Sequence, residues 1–315
     1  MARKALRAIF LIFEMAVMII VAALFYFSRP MEVQSPQLRI PSGSIGKIIA
    51  HLDAEYIPMT RLDRYALALL GHPQRGWIDI GQERMSRLDF LHALTTAKAA
   101  LFCVTIIPGE TTYVILRQLA KRGYDLDRLQ NIYDQYAPYP EGVLFAQTYC
   151  LPKGSDEKSV MGYLIQEGLK NHERVAMKHQ KSFDQEAWFK KIVTIASIIQ
   201  KEAANEEEMP LVASVIYNRL KKGMPLQMDG SLNYGSHSHE KITPKRIRND
   251  TSAFNTYKNR GLPPYPVCVV GEKAIEAALY PAKSDYLYFV RSKDGGHKFS
   301  RTYKKHLRNI KDVQK

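Results

Sequence analysis

The sequence predicts a mixed α+β protein carried on an N-terminal transmembrane helix. Small strand–helix modules come next, and then a mixed α/β domain with a candidate acid at the end of a long helix. Three observations carry this reading. Ala8 to Phe27 form an apolar run broken only by Glu14. The chain beyond it alternates short β-rich runs with helical apolar spacing. From Phe183 onward, one apolar helix ends in a carboxylate and the loops beyond it are crowded with Asn, Gln, Thr and Tyr.

The apolar run matches the ~20 residues that cross a hydrocarbon core. Arg3, Lys4 and Arg7 precede it, and positive flanks stay in the cytoplasm, so residues 1–7 are expected inside and everything after Phe27 outside. A cleaved signal peptide is the competing reading. Its apolar region would be shorter, and Phe25 to Pro30 offers no small-x-small cleavage site. An uncleaved single-pass anchor over 8–27 is therefore expected, with membrane lipid as its partner and the body in the periplasm or extracytoplasmic space. Glu14 is costly there unless protonated or partnered.

With 315 residues, 46% of them hydrophobic, the chain can bury a sizeable core, and its length suggests about two domains. The formal net charge of +14 suits an anionic partner or a plainly solvated basic surface. Lysines and arginines form no long run, so a nucleic-acid tail is unsupported and nucleic acid is not an expected partner. Cys103, Cys150 and Cys268 lie too far apart for a CxxC pair and read as small buried apolar residues.

Residues 28–38, with two prolines and little periodicity, read as a linker. After Ile40, Pro41 to Ser44 make a turn, and Ile45, Ile48, Ile49 and Leu52 take helical spacing. Ala100 to Ile107 repeat the outline: an apolar run, a break at Pro108 to Thr112, then Val114, Ile115, Leu116 and Leu119 up to Gly123. Either these are related α+β modules or two independent strand–helix connections. Residues 39–150 are taken as one region, 151–182 as a connecting helix and 183–315 as the catalytic domain. In that last domain Asp184 can cap a helix with apolar positions Trp188, Ile192, Ile195, Ile198 and Ile199.

At about 100° per residue from Ile192, Ile195, Ile199 and Glu202 fall at roughly 300°, 340° and 280°. Glu202 thus continues the apolar stripe. A carboxyl shielded by isoleucines has a raised pKa and stays available as a general acid near neutrality. The alternative is a carboxylate that marks the helix end and turns to water. Beyond it, a helix through Asn218 stops at Gly223, and Gln227, Asp229, Asn255, Thr256 and Tyr257 occupy loops. Amide, hydroxyl and aromatic groups of this kind suit a carbohydrate cleft, although each also serves turn chemistry. His237, Ser238 and His239 lack the spacing of a metal site, so neither metal nor cofactor is expected.

These blocks resemble the YceG-like family of endolytic murein transglycosylases. The matching segments are Ala196 to Glu202, Val212 to Leu220, Gly223 to Gln227, Asp229, Tyr234-Gly235, Asn255-Thr256-Tyr257 and Gly261 to Pro264, then Ala277 to Leu279, Pro281 to Lys283, Asp285 to Val290 and Gly295 to His297. Glu202 matches the family's catalytic glutamate and Glu208 another recurrent one. Gln200 stands where the family often has Glu, and Met228-Asp229-Gly230 where it usually has Thr-Asp-Pro.

The resemblance implies a LysM-like glycan-binding subdomain within 39–150 and a lyase that cuts the MurNAc–GlcNAc bond of nascent peptidoglycan. Such an enzyme leaves 1,6-anhydroMurNAc ends, terminating or trimming strand elongation, and a peptidoglycan synthase is a further implied partner. Asn218, Gln227, Asp229, Asn255, Thr256 and Tyr257 are the expected substrate-binding residues. A hydrolase giving reducing ends, or a non-catalytic cell-wall glycan-binding protein, are the alternatives.

Overall fold

The computed structural model describes residues 2–314. Met1 and Lys315, the outer limits of the expected tail and catalytic domain, lie outside the described residues, as do the Arg3 and Lys4 side chains of the positive flank. The described chain is mixed α+β and divides into two compact units, the first comprising Met1–Phe102 with Cys150–Ser155 and the second Cys103–Tyr149 with Asp156–Lys315.

The first unit begins with α1 (Ala2–Ser28), whose apolar stretch Ile9–Ser28 is long enough to cross a bilayer and has none of its length buried within the protein. That is consistent with a single-pass anchor. Then come β1 (Pro30–Glu32), β2 (Gln37–Ile40), α2 (Ile45–Glu55), α3 (Arg61–Leu70), β3 (Gly76–Asp79), β4 (Arg84–Ser86), α4 (Arg87–Thr96) and β5 (Lys98–Ala99). β1 pairs antiparallel with β4, and β3 lies between β2 and β5, with Leu38 opposite Ile78 and Ile78 opposite Ala99.

Side-chain oxygens of Ser44, Thr60 and Ser86 accept the free N–H groups that open α2, α3 and α4. The core is Leu38, Ile40, Ile48, Leu52, Leu67, Ile78, Phe90 and Leu91, against which Phe27 of α1 packs. Residues 28–38 are therefore no linker. Met31 and Val33 alternate inward as strand residues do, and the Val33 N–H donates to the Glu83 carbonyl at 2.9 Å.

The second unit contains most of β6 (Leu101–Thr105), then α5 (Thr112–Ala120) and α6 (Leu126–Tyr136). β7 (Thr148–Pro152) pairs with β6, and α7 (Glu157–His179) comes after it. The expected 39–150 region is thus split, its part from Cys103 to Tyr149 packing with the later helices. Gly109 N–H donates to the Val269 carbonyl at 2.8 Å, and α6 lies along α7. α7 is more than a connection. Its Val160, Leu164, His172 and Val175 are buried, and at Gly168 the neighbouring backbone comes so close that a Cβ would sit 2.4 Å from the Val143 oxygen. Cys103 and Cys150 are disulfide-bonded and exposed, whereas Cys268 is free and buried, so the buried-thiol reading holds for Cys268 alone.

The helical run ahead of Glu202 opens at α8 (Gln185–Ala187), capped by Asp184, and continues as a π-helical segment over Trp188–Val193 and as α9 (Thr194–Glu202). The wider π turn rotates the helix beyond it, so the wheel loses its starting point at Ile192; Ile195, Ile199 and Glu202 all lie past that turn in α9 and keep their stripe, and Val193 to Ile199 are all buried. Trp188 Nε1 donates to His172 Nδ1 at 3.2 Å, fastening the run to α7. The remaining elements are α10 (Met209–Lys221), α11 (Pro244–Asn249), α12 (Glu272–Leu279), the antiparallel pair β8 (Tyr288–Arg291) and β9 (His297–Ser300), and α13 (Tyr303–Gln314). α9 packs on α10 and α12.

Candidate active site

α9 ends at Glu202, and its carboxylate lines a cavity of about 360 Å³ in the second unit. Arg219, Leu226, Gln227, Met228, Asp229 and Tyr257 line it too, with Tyr288, Phe289 and Val290 from β8 and Tyr303, His306 and Ile310 from α13. Burial pushes the Glu202 carboxyl up to about 7; the Gly230 N–H lowers it, the Asp229 charge raises it further, and the Arg219 charge lowers it. Near neutral pH this side chain therefore exists in both protonation states, as a group that must give and then recover a proton requires.

One oxygen of Glu202 is already committed. Oε1 accepts the Gly230 N–H at 2.6 Å, which leaves Oε2 for the proton. Gly230 lies in a buried 3₁₀ turn, Asp229–Leu232, at a position that only glycine fits: a Cβ there would stand 2.5 Å from Lys201 Cβ and 3.0 Å from Glu202 Oε1. Thr256 holds this turn from behind. Its Oγ1 accepts the Met228 N–H at 3.0 Å and bonds the Ser231 hydroxyl at 2.9 Å, and its carbonyl accepts the Gln227 N–H at 3.1 Å. Gln227 is held at φ +48°, a left-handed conformation that costs a non-glycine residue on the order of 1 kcal/mol or more. Such outliers persist where the surroundings dictate them, and this one is on the cavity wall.

Arg219 is buried, with Nε donating to the Leu287 carbonyl at 2.7 Å and Nη1 to that of Leu226 at 2.6 Å, so its charge is locked beneath the cavity. The Tyr257 hydroxyl donates to Asp229 Oδ1 at 2.8 Å; burial and that bond both raise the phenol's pKa. His306 stacks on Tyr288 at 5.2 Å, and its Nδ1 is buried without a partner among the described residues. Burial and then the Arg219 charge lower its pKa, favouring the neutral ring.

Of the residues singled out in the sequence, Glu202, Gln227, Asp229 and Tyr257 come together on this wall. Asn218, Asn255 and Thr256 are not in the lining. Asn218 Nδ2 donates to the carbonyls of Ser284 and Tyr286. Asn255 is fully buried, and its Nδ2 donates to those of Ile247 and Asp250, both at 2.8 Å. Gln200 accepts the Gly271 N–H, away from the cavity. Glu208 accepts from the backbone and ring nitrogens of His297, each at 2.7 Å. His237 and His239 are paired with Glu240 and Glu110.

Sequence reasoning missed Arg219 and the wall supplied by α13. The signal for α13 was present, since Tyr303, His306 and Ile310 recur at the spacing of one helix face.

A model of the YceG-like family matches residues 38–312. An endolytic murein transglycosylase of Bacillus subtilis is 44% identical over 117 residues, covering 37% of this chain and 32% of that protein. A protein of the same description from Streptococcus pneumoniae (strain R6) is 32% identical over 176 residues, covering 54% of this chain and 31% of that one. The chain therefore spans about a third of the length of the curated relatives it matches. Among solved structures, the crystal structure of a yceG-like protein from Listeria monocytogenes has a TM-score of 0.53 at 27% identity, covering 89% of this chain and 99% of that one.

Proposed function

The chain belongs to the YceG-like family, and on that premise we propose that it is an endolytic lytic transglycosylase of nascent peptidoglycan, with Glu202 as its acid and base. The observation that carries the reading is the Glu202 carboxyl, lifted to about 7 on a cavity wall, with one oxygen bonded to Gly230 and the other without a hydrogen-bond partner among the described residues. Protonated Glu202 donates to the glycosidic oxygen between MurNAc and GlcNAc. The bond from MurNAc C1 to that oxygen breaks, and the substrate's own 2-acetamido oxygen supports the cation at C1. Ionised Glu202 then takes the proton of the C6 hydroxyl of the same MurNAc, whose oxygen closes onto C1. The product is a 1,6-anhydro end, no water is consumed, and Glu202 is restored to its acid form.

Gln227 and Tyr257 are the polar and aromatic contacts for the sugar in this reading, beside the wall of Tyr288, Tyr303 and His306. In the same reading α1 anchors the chain in the cytoplasmic membrane with the catalytic body outside. The first unit supplies LysM-like glycan binding, and a peptidoglycan synthase is the partner that delivers new strands.

Asp229 favours a second reading. It is a further carboxylate on the same wall, and two carboxylates can hydrolyse a glycoside through a water or a covalent intermediate. Mass analysis of fragments from purified peptidoglycan separates the two. Internal fragments lighter by one water than the hydrolytic product are expected from the transglycosylase. Reducing ends would shift the chemistry to hydrolysis, with Asp229 as second carboxylate.

A further inference from the structure

The end of α1 is fastened to the first unit by a polar clamp. Tyr26, in the last turns of the apolar helix, has its hydroxyl 2.6 Å from Thr60 Oγ1 and donates to Asp63 Oδ2 at 2.9 Å. Thr60 is the N-cap of α3, and Asp63 lies in the first turn of that helix. Arg87 donates to both Asp63 oxygens at 2.7 Å, and its guanidinium lies 4.6 Å from the centre of the Tyr26 ring. A residue of the span and the start of α3 are thus within one hydrogen bond of each other. If the span is in a bilayer, α3 begins at the bilayer surface.

α3 is built for that position. Asp63 and Leu67 face the core, whereas Leu62, Tyr65 and Leu69, at the spacing of one helix stripe, are 54%, 66% and 89% exposed. An apolar stripe of this size facing water is costly on a soluble surface. Arg61 and Arg64 are exposed on the flank beside it, and Arg29 is exposed just past the span. Apolar residues beside arginines are the composition of a helix that lies in the headgroup layer.

We infer that α3 docks flat on the bilayer surface, with Leu62, Tyr65 and Leu69 in the interfacial layer and Arg61 and Arg64 against anionic lipid phosphates. The first unit is then held against the membrane face and does not swing on its anchor. This rests on the reading of α1 as a membrane span, and the experiment keeps the two apart.

The full chain, with Cys103 and Cys150 kept in their oxidised state and Cys268 buried, carries a nitroxide at Leu69→Cys or, as reference, at Met18→Cys within the span. It is placed in vesicles of phosphatidylcholine alone, or of phosphatidylcholine and phosphatidylglycerol in equal parts. Collision rates are measured with oxygen, which concentrates in lipid, and with a water-soluble nickel complex. Oxygen should dominate at both positions, most strongly at 18. The charge reversal Arg61→Glu with Arg64→Glu should lower the preference at 69 in the anionic vesicles and leave position 18 unchanged. Nickel dominating at 69 while oxygen dominates at 18 would overturn the docking and leave the span intact. Nickel dominating at both would remove the span and the docking together. Dipolar broadening between labels at 69 would mean that a second copy covers the stripe, which also overturns the inference.

Discussion

Replacing Glu202 by glutamine tests the chemistry and its energetic cost together. An ordinary glutamate, at 4.5, is protonated in roughly one molecule in three hundred at pH 7, while Glu202, lifted to about 7, is protonated in about half. Burial thus raises the supply of acid more than a hundredfold. The cost comes from linkage. Because the folded pKa lies above the unfolded one, the folded chain holds the proton more tightly, and stability falls as pH rises from 4.5 through 7. The loss, complete above pH 7, is on the order of 3 kcal/mol.

Glu202→Gln cannot ionise, yet its amide oxygen can still accept the Gly230 N–H. The variant should therefore lose turnover by about 10²–10⁴-fold. It should also unfold several degrees higher than the wild type at pH 8 and at nearly the same temperature at pH 4. Wild-type turnover should decline above pH 7 by about tenfold per unit as the acid form is depleted. Turnover on purified peptidoglycan and thermal melts at the two pH values give the readouts. A variant that is active, or no more stable than the wild type at pH 8, would refute the assignment of a buried, poised acid at Glu202.

Two further substitutions address the surroundings of that acid. Gly230→Ala places a Cβ against Lys201 Cβ and Glu202 Oε1, so turnover should drop by about tenfold or more while circular dichroism stays native. Asn255→Ala takes the amide donor from the Ile247 carbonyl and one of the two donors from that of Asp250, which Lys258 Nζ still reaches, and denaturant titration should register a loss of about 1 kcal/mol. Gln227→Ala, in contrast, keeps the left-handed backbone and its strain, so stability should be unchanged while KM for peptidoglycan fragments rises.

Features settled between near neighbours were legible in the order of residues. The apolar run of α1, the turn ahead of α2, the cap at Asp184, the stop at Gly223 and the seat of Glu202 at a helix end depend on side-chain sterics and hydrogen bonds within a few residues. Polar loop residues were legible as a group but not in their roles. An Asn that bonds its own backbone, as Asn255 does, reads the same as one that faces a ligand, and only the packed loop separates it from Gln227.

Contacts that join distant stretches of chain exist only in the folded molecule. Folding sets Gly230 N–H on Glu202, brings the His306 face of α13 to the cavity and draws stretches of residues 28–38 into two small sheets. The π turn ahead of α9 escaped a wheel that assumes one constant period, and the oxidised state of Cys103 and Cys150 escaped their spacing. At the site itself the reason is burial. The pKa of Glu202 depends on how much water remains around it, and that is set by residues from separate segments that meet only when the second unit folds.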